Sequence, residues 1–277
     1  MIEIGKYNTL RAARRIAHGM VLQDEEGDDV LLPNKYVPEG LAPGDDIDVF
    51  VYTDSNDWPI ATTRRPLALV GEIAYLQAKE ITPIGAFMDW GLEKDLFVPF
   101  SEQSQKMTTG KRYFVYLYLD EQTDRVAASS KLGKYLEKEA TGLEPGQEVQ
   151  LLIGPESELG FTAFIDNRYR GLLYKSEYFQ ELHPGMHIKG YVKTIRPDGK
   201  ADLSLQQQGY LHAVPLQAEQ LLEALKKNGG FLPLTDKSGP EEVASLLKMS
   251  KKAFKKAIGA LYKQRLVRLE EDGVHLV

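Results

Sequence analysis

The chain has 277 residues, no cysteine, and 34 Lys plus Arg against 40 Asp plus Glu, which gives a net charge of −6. The lack of cysteine excludes disulfides, thiolate zinc sites, iron–sulfur clusters and cysteine nucleophiles. The sequence contains no run of about 18 apolar residues, so no membrane span is predicted. The first residues lack the layout of a signal peptide, so we expect a cytoplasmic protein without contact to a membrane. The length of the chain predicts two to four domains.

Three stretches of the chain share one layout, in which a short apolar strand with a small residue is followed by a glycine turn and a long β-rich strand. The small residue and the turn glycine are separated by 25, 25 and 23 residues. Recurring landmarks at a fixed spacing indicate a repeated domain. The landmark pairs are Gly19 and Gly44, Gly85 and Gly110, and Thr162 and Gly185.

Each repeat of about 65 residues contains roughly five short strands separated by turn signals. Short, evenly spaced strands with alternating apolar residues are typical of small closed barrels. The alternative is three unrelated clusters of β-hairpins.

The last part of the chain has helical periodicity. Leucines from Leu216 to Leu225 predict a helix that ends at the following glycines, and Pro240 predicts the start of a second helix. Ser250 caps a predicted third helix, and two short apolar runs around Gly273 predict a hairpin. Helix, strand, helix, helix and hairpin is the element order of a winged helix.

The second and third repeats resemble S1 RNA-binding domains, which are five-stranded OB-fold barrels. The motifs that carry this resemblance are Gly85-Ala86-Phe87, 96–102, 161–165, 171–177 and 201–205. The first repeat matches by its spacing alone, so we expect it to be the weakest match. Three such barrels before a winged helix resemble the conserved virulence factor B family. That resemblance implies RNA binding and post-transcriptional regulation without an enzymatic activity.

The predicted fold is therefore mainly β with an α+β C-terminal part, namely tandem OB-fold barrels followed by a winged helix. We place the three S1-like barrels at 1–66, 67–142 and 143–210, and the winged helix at 211–277. The segments around 132–143 and 206–214 read as linkers.

Binding of single-stranded RNA requires aromatic faces on which bases stack and cations that follow the phosphates. Carried over from the S1 family to the third repeat, the two strand aromatics are Phe161 and Phe164, and a further ring is Tyr174. The two polar closing positions of the family are Arg196 and Lys200.

The residues of the third repeat add their own argument, because 161–200 holds seven Lys or Arg against four acids. Arg168, Arg170 and Lys175 belong to this cluster, and we expect them near the same face. The alternative is that the phenylalanines are core residues, as most strand phenylalanines are.

In the second repeat, the family positions carry over to Ile84, Phe87, Pro99, Asp120 and Arg125, so one strand aromatic is missing and a proline replaces the other ring. Of these we retain Phe87 and Arg125 as RNA-binding candidates. Trp90 is expected to compensate from the next turn. The first repeat has 7 basic and 12 acidic residues, which favours a structural role or a protein contact.

The third predicted helix of the winged helix carries lysines opposite its apolar face. A basic helix face suits contacts to a nucleic-acid backbone, whereas the alternative is an ordinary solvated helix. The acidic turn at 270–272 and the lack of early Arg, Asn or Gln disfavour sequence-specific DNA binding. The lysines are Lys251, Lys252, Lys255 and Lys256.

No catalytic site is predicted, since the chain lacks a phosphate-binding loop and a serine nucleophile motif. The five histidines form no zinc-like pattern, and the acids at 120–124 read as a solvated turn and not as a nuclease site. We therefore expect no cofactor, and RNA as the partner, single-stranded in preference to duplex. A DNA-binding transcription regulator, whose barrels serve as interaction modules, and a scaffold for ribosomal or RNA-degrading proteins are the alternatives.

Overall fold

The computed structural model of the chain describes residues 1–56, 58–178, 180–205, 216–235, 237–263 and 266–277. Two compact units follow each other, Met1–Gln206 and Gln207–Val277. Within the described ranges, the first unit consists of three closed five-stranded barrels, and the second consists of three α-helices and a three-stranded sheet. The predicted fold class is confirmed. The predicted linker around 206–214 lies outside the described residues.

The three barrels have the same topology, in which the first strand pairs with the second and fourth and the third strand pairs in parallel with the fifth. Side chains alternate between the barrel interior and its outside, as expected for β-strands. The strands of the first barrel are β1 (Lys6–Ile16), β2 (Gly19–Gln23), β3 (Asp29–Pro33), β4 (Asp46–Thr53) and β5 (Pro59–Thr62). Those of the second are β6 (Ile73–Ile81), β7 (Gly85–Asp89), β8 (Leu96–Pro99), β9 (Arg112–Asp120) and β10 (Arg125–Ser129). Those of the third are β11 (Glu148–Glu156), β12 (Gly160–Ile165), β13 (Tyr169–Tyr174), β14 (His187–Ile195) and β15 (Ala201–Ser204).

A glycine begins the second strand of every barrel and explains how the repeats align. A Cβ added at Gly19, Gly85 or Gly160 would lie 2.0, 2.4 or 2.1 Å from a backbone carbonyl oxygen of the facing strand, so only glycine fits. The spacing in the sequence predicts Thr162 as the landmark of the third repeat. The structure shows that Gly160 is the equivalent residue instead. Gly160 precedes Gly185 by 25 residues, the spacing of the other two repeats.

The first and second barrels share an aromatic core. Trp90 is 2% exposed, and its ring meets Phe50 and Tyr52 of β4 edge to face, at centroid distances of 5.7 and 6.3 Å. Its indole N–H donates to the Lys94 carbonyl at 2.6 Å. The expectation that Trp90 supplies a stacking surface is therefore wrong, because this ring joins the two barrels.

The second and third barrels pack through the segment that was expected to be a linker. Leu132 and Leu136 are buried against Phe164 of β12, Ile73 of β6 and the half-buried Phe114 of β9. The segment thus fills the space between the barrels. A side-chain hydrogen bond also joins the two barrels, since the amide N–H of Ile73 donates to Oδ1 of Asn167 at 2.9 Å.

The second unit has the predicted element order of a winged helix. Its buried side chains form one core between the helices and the sheet. Ser250 caps the third helix as predicted, because its Oγ accepts the amide N–H of Ala253 at 3.2 Å. None of the helices in the described ranges has the length and apolar character needed to cross a bilayer. The elements are α1 (Leu216–Lys227), β16 (Phe231–Leu232), α2 (Pro240–Leu247), α3 (Lys251–Lys263), β17 (Val267–Leu269) and β18 (Val274–Leu276).

Candidate nucleic-acid interface

OB-fold barrels bind oligonucleotides on the outside of their second and third strands. In this chain, the strand register places one outward pair at the centre of that face in each barrel. The pairs differ in chemistry: aliphatic in the first barrel, aromatic in the second, and a hydroxyl with an aliphatic side chain in the third. They are Val21 with Leu31, Phe87 with Phe97, and Thr162 with Leu172.

The second barrel presents an aromatic platform, which we define as Phe87 and Phe97 with the flanking Ile84 and Phe100. The two central rings are half-buried, with centroids 5.1 Å apart. Ile84 is 65% exposed and Phe100 is 45% exposed. The ring of Phe97 packs close to Gly85, since a Cβ added to this glycine would come within 2.7 Å of the ring.

The family pattern predicts Phe87 from the sequence but not Phe97. It carries the aromatic position over to Pro99, two residues further along the same strand. Residues i and i+2 of a strand share a face, so the alternation from Pro99 could have found Phe97. Phe97 thus gives the third strand of this barrel an outward ring two residues before Pro99.

Arg125 lies on the same face of the second barrel. It is exposed and opens β10, and its cross-strand neighbour is Asp120. Ala127, two residues further, pairs with Phe97, so strand alternation places Arg125 on the platform side. The aromatic platform and a cation thus occur together on this barrel.

The expected exposure of Phe161 and Phe164 in the third barrel is contradicted. Phe161 is 4% exposed and points into the barrel, where its ring lies 5.7 Å from that of Tyr178. Phe164 points outward but is 3% exposed, because the neighbouring barrel covers it with Phe114 at a centroid distance of 5.3 Å. Neither ring offers a free face to a base.

Tyr174, the third ring assigned from the S1 family, ends β13 and is half-buried. It lies opposite Gly160 in the strand register, the position that Pro33 and Pro99 occupy in the other barrels. Tyr174 is therefore the aromatic ring on the outward side of the third barrel at this end of the face.

Most cations of the third barrel have acidic partners. Arg196 is 3.1 Å from Asp202, whereas Lys200 is 3.2 Å from Asp198. The backbone amide and the ammonium of Lys200, with the nearby Arg196, hold the pKa of Asp198 below its usual value. The local excess of positive charge counted in the sequence is thus smaller at the surface of the barrel.

The remaining cations of this barrel show one exception to the pairing. Arg168 binds Glu137, which raises the pKa of its guanidinium, and Lys175 is 3.7 Å from Glu156. Arg170 is exposed and makes no ion pair with any residue in the described part of the chain. Its guanidinium is the group most available to a phosphate on this face.

Three adjoining cavities, of about 420, 510 and 460 Å³, lie between the second and third barrels. We call them together the inter-barrel groove. Its cavities are connected through shared lining residues, and Arg170 lines all three. The shared residues are Ser104, Ser130, Leu132, Gly133, Thr162 and Arg170.

Arg196 and Lys200 line the first of these cavities with Lys138 and the apolar side chains of Leu136 and Leu172. The structure therefore brings Arg170, Arg196 and Lys200 together as expected.

The winged helix presents its lysines as the helical pattern predicts. Lys252, Lys255 and Lys256 are exposed on the side of α3 opposite the buried Phe254. Lys251 is half-buried, and its ammonium lies 3.4 Å from the carbonyl oxygen of Lys237. Three of the four predicted lysines are thus fully available to solvent.

Two acidic turns singled out in the sequence, at 120–124 and 270–272, contain hydrogen-bonded carboxylates. Asp120 accepts the amide N–H of Gln122 at 2.9 Å in the turn between β9 and β10, as a solvated turn requires. In the wing, His275 Nε2 lies 3.0 Å from Oδ1 of Asp272, and this hydrogen bond lowers the pKa of the carboxyl.

Models of two protein families match this chain, one in the barrels and one in the winged helix. A family model described as S1 domain matches residues 4–64 and 70–130, and one described as CvfB-like winged helix domain matches residues 219–276. The first barrel, expected to be the weakest S1 match, is therefore one that the S1 family model recognises. Neither family is a catalytic one.

Relatives match over most of the chain. The Bacillus subtilis protein YitL is 27% identical over 97% of this chain and 92% of its own. Conserved virulence factor B of Staphylococcus saprophyticus is 23% identical over 92% of this chain and 88% of its own. A crystal structure of a multidomain protein with nucleic acid binding domains from Streptococcus pneumoniae is 21% identical over 99% of this chain and 98% of that one, with a TM-score of 0.41.

Proposed function

We propose that this chain binds single-stranded RNA without catalysing a reaction on it. The chain carries S1 domains and a CvfB-like winged helix domain, and it is homologous to proteins named conserved virulence factor B. The matches confirm the family resemblance inferred from the sequence. S1 domains and the nucleic-acid-binding character of the family support RNA or another nucleic acid as the partner.

The observation that carries the proposal is the aromatic platform of the second barrel. Phe87 and Phe97 lie side by side on the outward face of the strands that bind oligonucleotides in OB folds. An unstacked base gains about 1–3 kcal/mol from stacking on such a ring. Arg125 on the same side supplies a cation for the adjacent phosphate.

A single strand fits this platform better than a duplex does. The bases of a duplex are already stacked on one another and present only their edges, so they have no free face to offer an aromatic ring. Single-stranded RNA exposes those faces at low cost. The barrels therefore favour unpaired segments such as loops and ends.

The winged helix adds contacts of its own. Exposed lysines on α3 suit the phosphates of a nucleic-acid backbone, and the same feature favours the second candidate function, a DNA-binding transcription regulator. The wing turn at Glu270, Glu271 and Asp272 opposes close approach of a duplex, because its carboxylates repel phosphates. We assign the lysines to nonspecific contacts with the RNA backbone.

Regulation of gene expression after transcription is the role that these features support. A protein without a catalytic site acts on RNA by occupying it, which alters access for ribosomes, nucleases or other RNA-binding proteins. We place this activity in the cytoplasm, where RNA is translated and degraded and where a chain without cysteine requires no oxidising environment.

Competition binding tests the proposal. The full chain is mixed with a labelled single-stranded RNA, and unlabelled RNA and duplex DNA of equal length compete at one fixed salt concentration, because phosphate contacts make affinity depend on salt. We expect single-stranded RNA to compete more strongly. Stronger competition by the duplex would support the transcription regulator instead.

A further inference from the structure

We infer that the inter-barrel groove, and not a single barrel face, holds the backbone of the bound RNA, which passes as one strand between the second and third barrels with Arg170 at the centre of its path. This inference rests on the proposed function and adds the place of binding.

Arg170 is the first reason. It points outward from β13, opposite Phe164 in the register, and its side chain is exposed. Its neighbours Arg168, Lys175 and Arg196 are engaged by carboxylates, whereas Arg170 has no ion pair among the residues that the structure describes. A guanidinium presents five donors in a planar fork that matches a phosphate, so this group is ready to bind one.

The chemistry of the walls is the second reason. The lining of the groove includes the hydroxyls of Ser104, Ser130 and Thr162 and the apolar side chains of Leu132 and Leu172. Hydroxyls can exchange hydrogen bonds with the ribose 2′-OH, which distinguishes RNA from DNA. Leu172 is half-buried, and its exposed part suits the face of a sugar or an unstacked base.

The size of the groove is the third reason. Each cavity has a volume of about 420 to 510 Å³, within the range of about 300–1,000 Å³ that is common for sites of small organic ligands. Sites of this size accept nucleotide units one after another along a connected path. A duplex would have to unpair before its bases could enter.

The groove is also preformed. Leu132, Leu136 and Phe164 are buried at its floor, and the hydrogen bond from Ile73 to Asn167 ties the two barrels together beside it. Because the barrels are held by packed side chains, the walls need no rearrangement when a strand binds. Preorganisation of this kind lowers the entropic cost of association.

Charge reversal provides the first experiment. Arg170→Glu is compared with Arg15→Glu, an equal charge change at an exposed strand residue of the first barrel, outside the lining of the groove. Binding of the full chain to a labelled single-stranded RNA is measured over a range of salt concentrations. We expect Arg170→Glu to weaken binding at least about tenfold, the loss expected for a charge-assisted hydrogen bond, and Arg15→Glu to change it less than about threefold.

Steric obstruction provides a second experiment that leaves all charges unchanged. Gly133 lines two of the cavities, and a Cβ added there meets no atom within 4 Å. Gly133→Leu should obstruct the groove with an aliphatic side chain, which offers no aromatic face to a base, and weaken RNA binding about tenfold or more, whereas Gly133→Ala should bind like the original chain. Both variants should keep the original melting temperature, because the added atoms extend into the open groove.

The outcomes separate this inference from the proposed function. If the chain binds RNA but Arg170→Glu behaves like Arg15→Glu and Gly133→Leu like Gly133→Ala, the groove is not the path of the strand, and RNA binding by another face stands. If the unaltered chain fails to bind single-stranded RNA, the proposed function is wrong and the groove inference falls with it.

Discussion

Two phenylalanine-to-alanine substitutions, Phe161→Ala and Phe97→Ala, separate a core ring from a binding ring. Phe161 is 4% exposed inside the third barrel, and removing a core phenylalanine side chain costs about 3–5 kcal/mol. For a unit of this size, that corresponds to a lowering of Tm by about 6–20 °C. RNA affinity at temperatures where the barrel remains folded should change little, because the ring touches no ligand.

Phe97→Ala should have the opposite profile. Its ring is half-buried on the aromatic platform, so Phe97→Ala should lower the free energy of unfolding by less than Phe161→Ala does. The affinity for single-stranded RNA should fall by about 1–3 kcal/mol, which is a factor of about 5 to 150 in Kd. Phe97→Tyr is the matched control, since it keeps the aromatic face and should retain the affinity.

Thermal unfolding and fluorescence anisotropy with labelled RNA, measured on the same samples, test both substitutions. A Phe161→Ala variant that keeps its Tm and loses RNA affinity would refute the burial argument for that ring. Unchanged affinity in Phe97→Ala would refute the aromatic platform as the carrier of the proposed function.

Three further predictions concern other parts of the chain. Phe164→Ala should loosen the packing between the second and third barrels, lower Tm and accelerate limited proteolysis near residues 132–143; unchanged cleavage rates would contradict that role. Replacing Lys255 and Lys256 by alanine together should reduce the slope of log affinity against log salt by about 0.7 for each lost RNA contact, and an unchanged slope would place both side chains away from the nucleic acid. Burial raises the pKa of Glu102, but the Lys134 ammonium and further hydrogen bonds outweigh it and leave the pKa below 4.5. A carboxylate whose pKa is lowered in the folded state stabilises the fold above pH 4.5, and this contribution is lost as the pH falls through the folded-state pKa. Glu102→Gln should therefore make the free energy of unfolding less dependent on pH in acid. An equal pH dependence in both proteins would refute this.

The outward pair of aromatic rings and the groove arginine Arg170 lie on different barrels. The second barrel has the outward ring pair Phe87 and Phe97, whereas the equivalent pair of the third barrel is Thr162 and Leu172. The third barrel contributes Arg170 instead. A strand that uses both features has to contact both barrels, which is the physical reason to consider them as one binding surface.

The amino-acid sequence by itself determined the repeat structure and the order of the winged helix. Glycines at 25-residue spacing and apolar residues at strand and helix periods are local properties, and local properties can be read along the chain. The same spacing, applied to Gly160, would also have corrected the alignment of the third repeat. With that alignment, Phe161 corresponds to the inward Ala86 of the second barrel, whereas the outward side of Phe97 follows from its alternation with Pro99.

Only the tertiary structure decided which outward side chains remain uncovered. Phe164 faces outward, and its burial depends on Phe114, which lies 50 residues earlier in the chain and in another barrel. The charge of Arg168 is neutralised by Glu137 of the preceding segment, whereas Arg170 has no such partner among the described residues. Exposure and ion pairing are sums over neighbours brought together by folding, so no pattern within a single strand contains them.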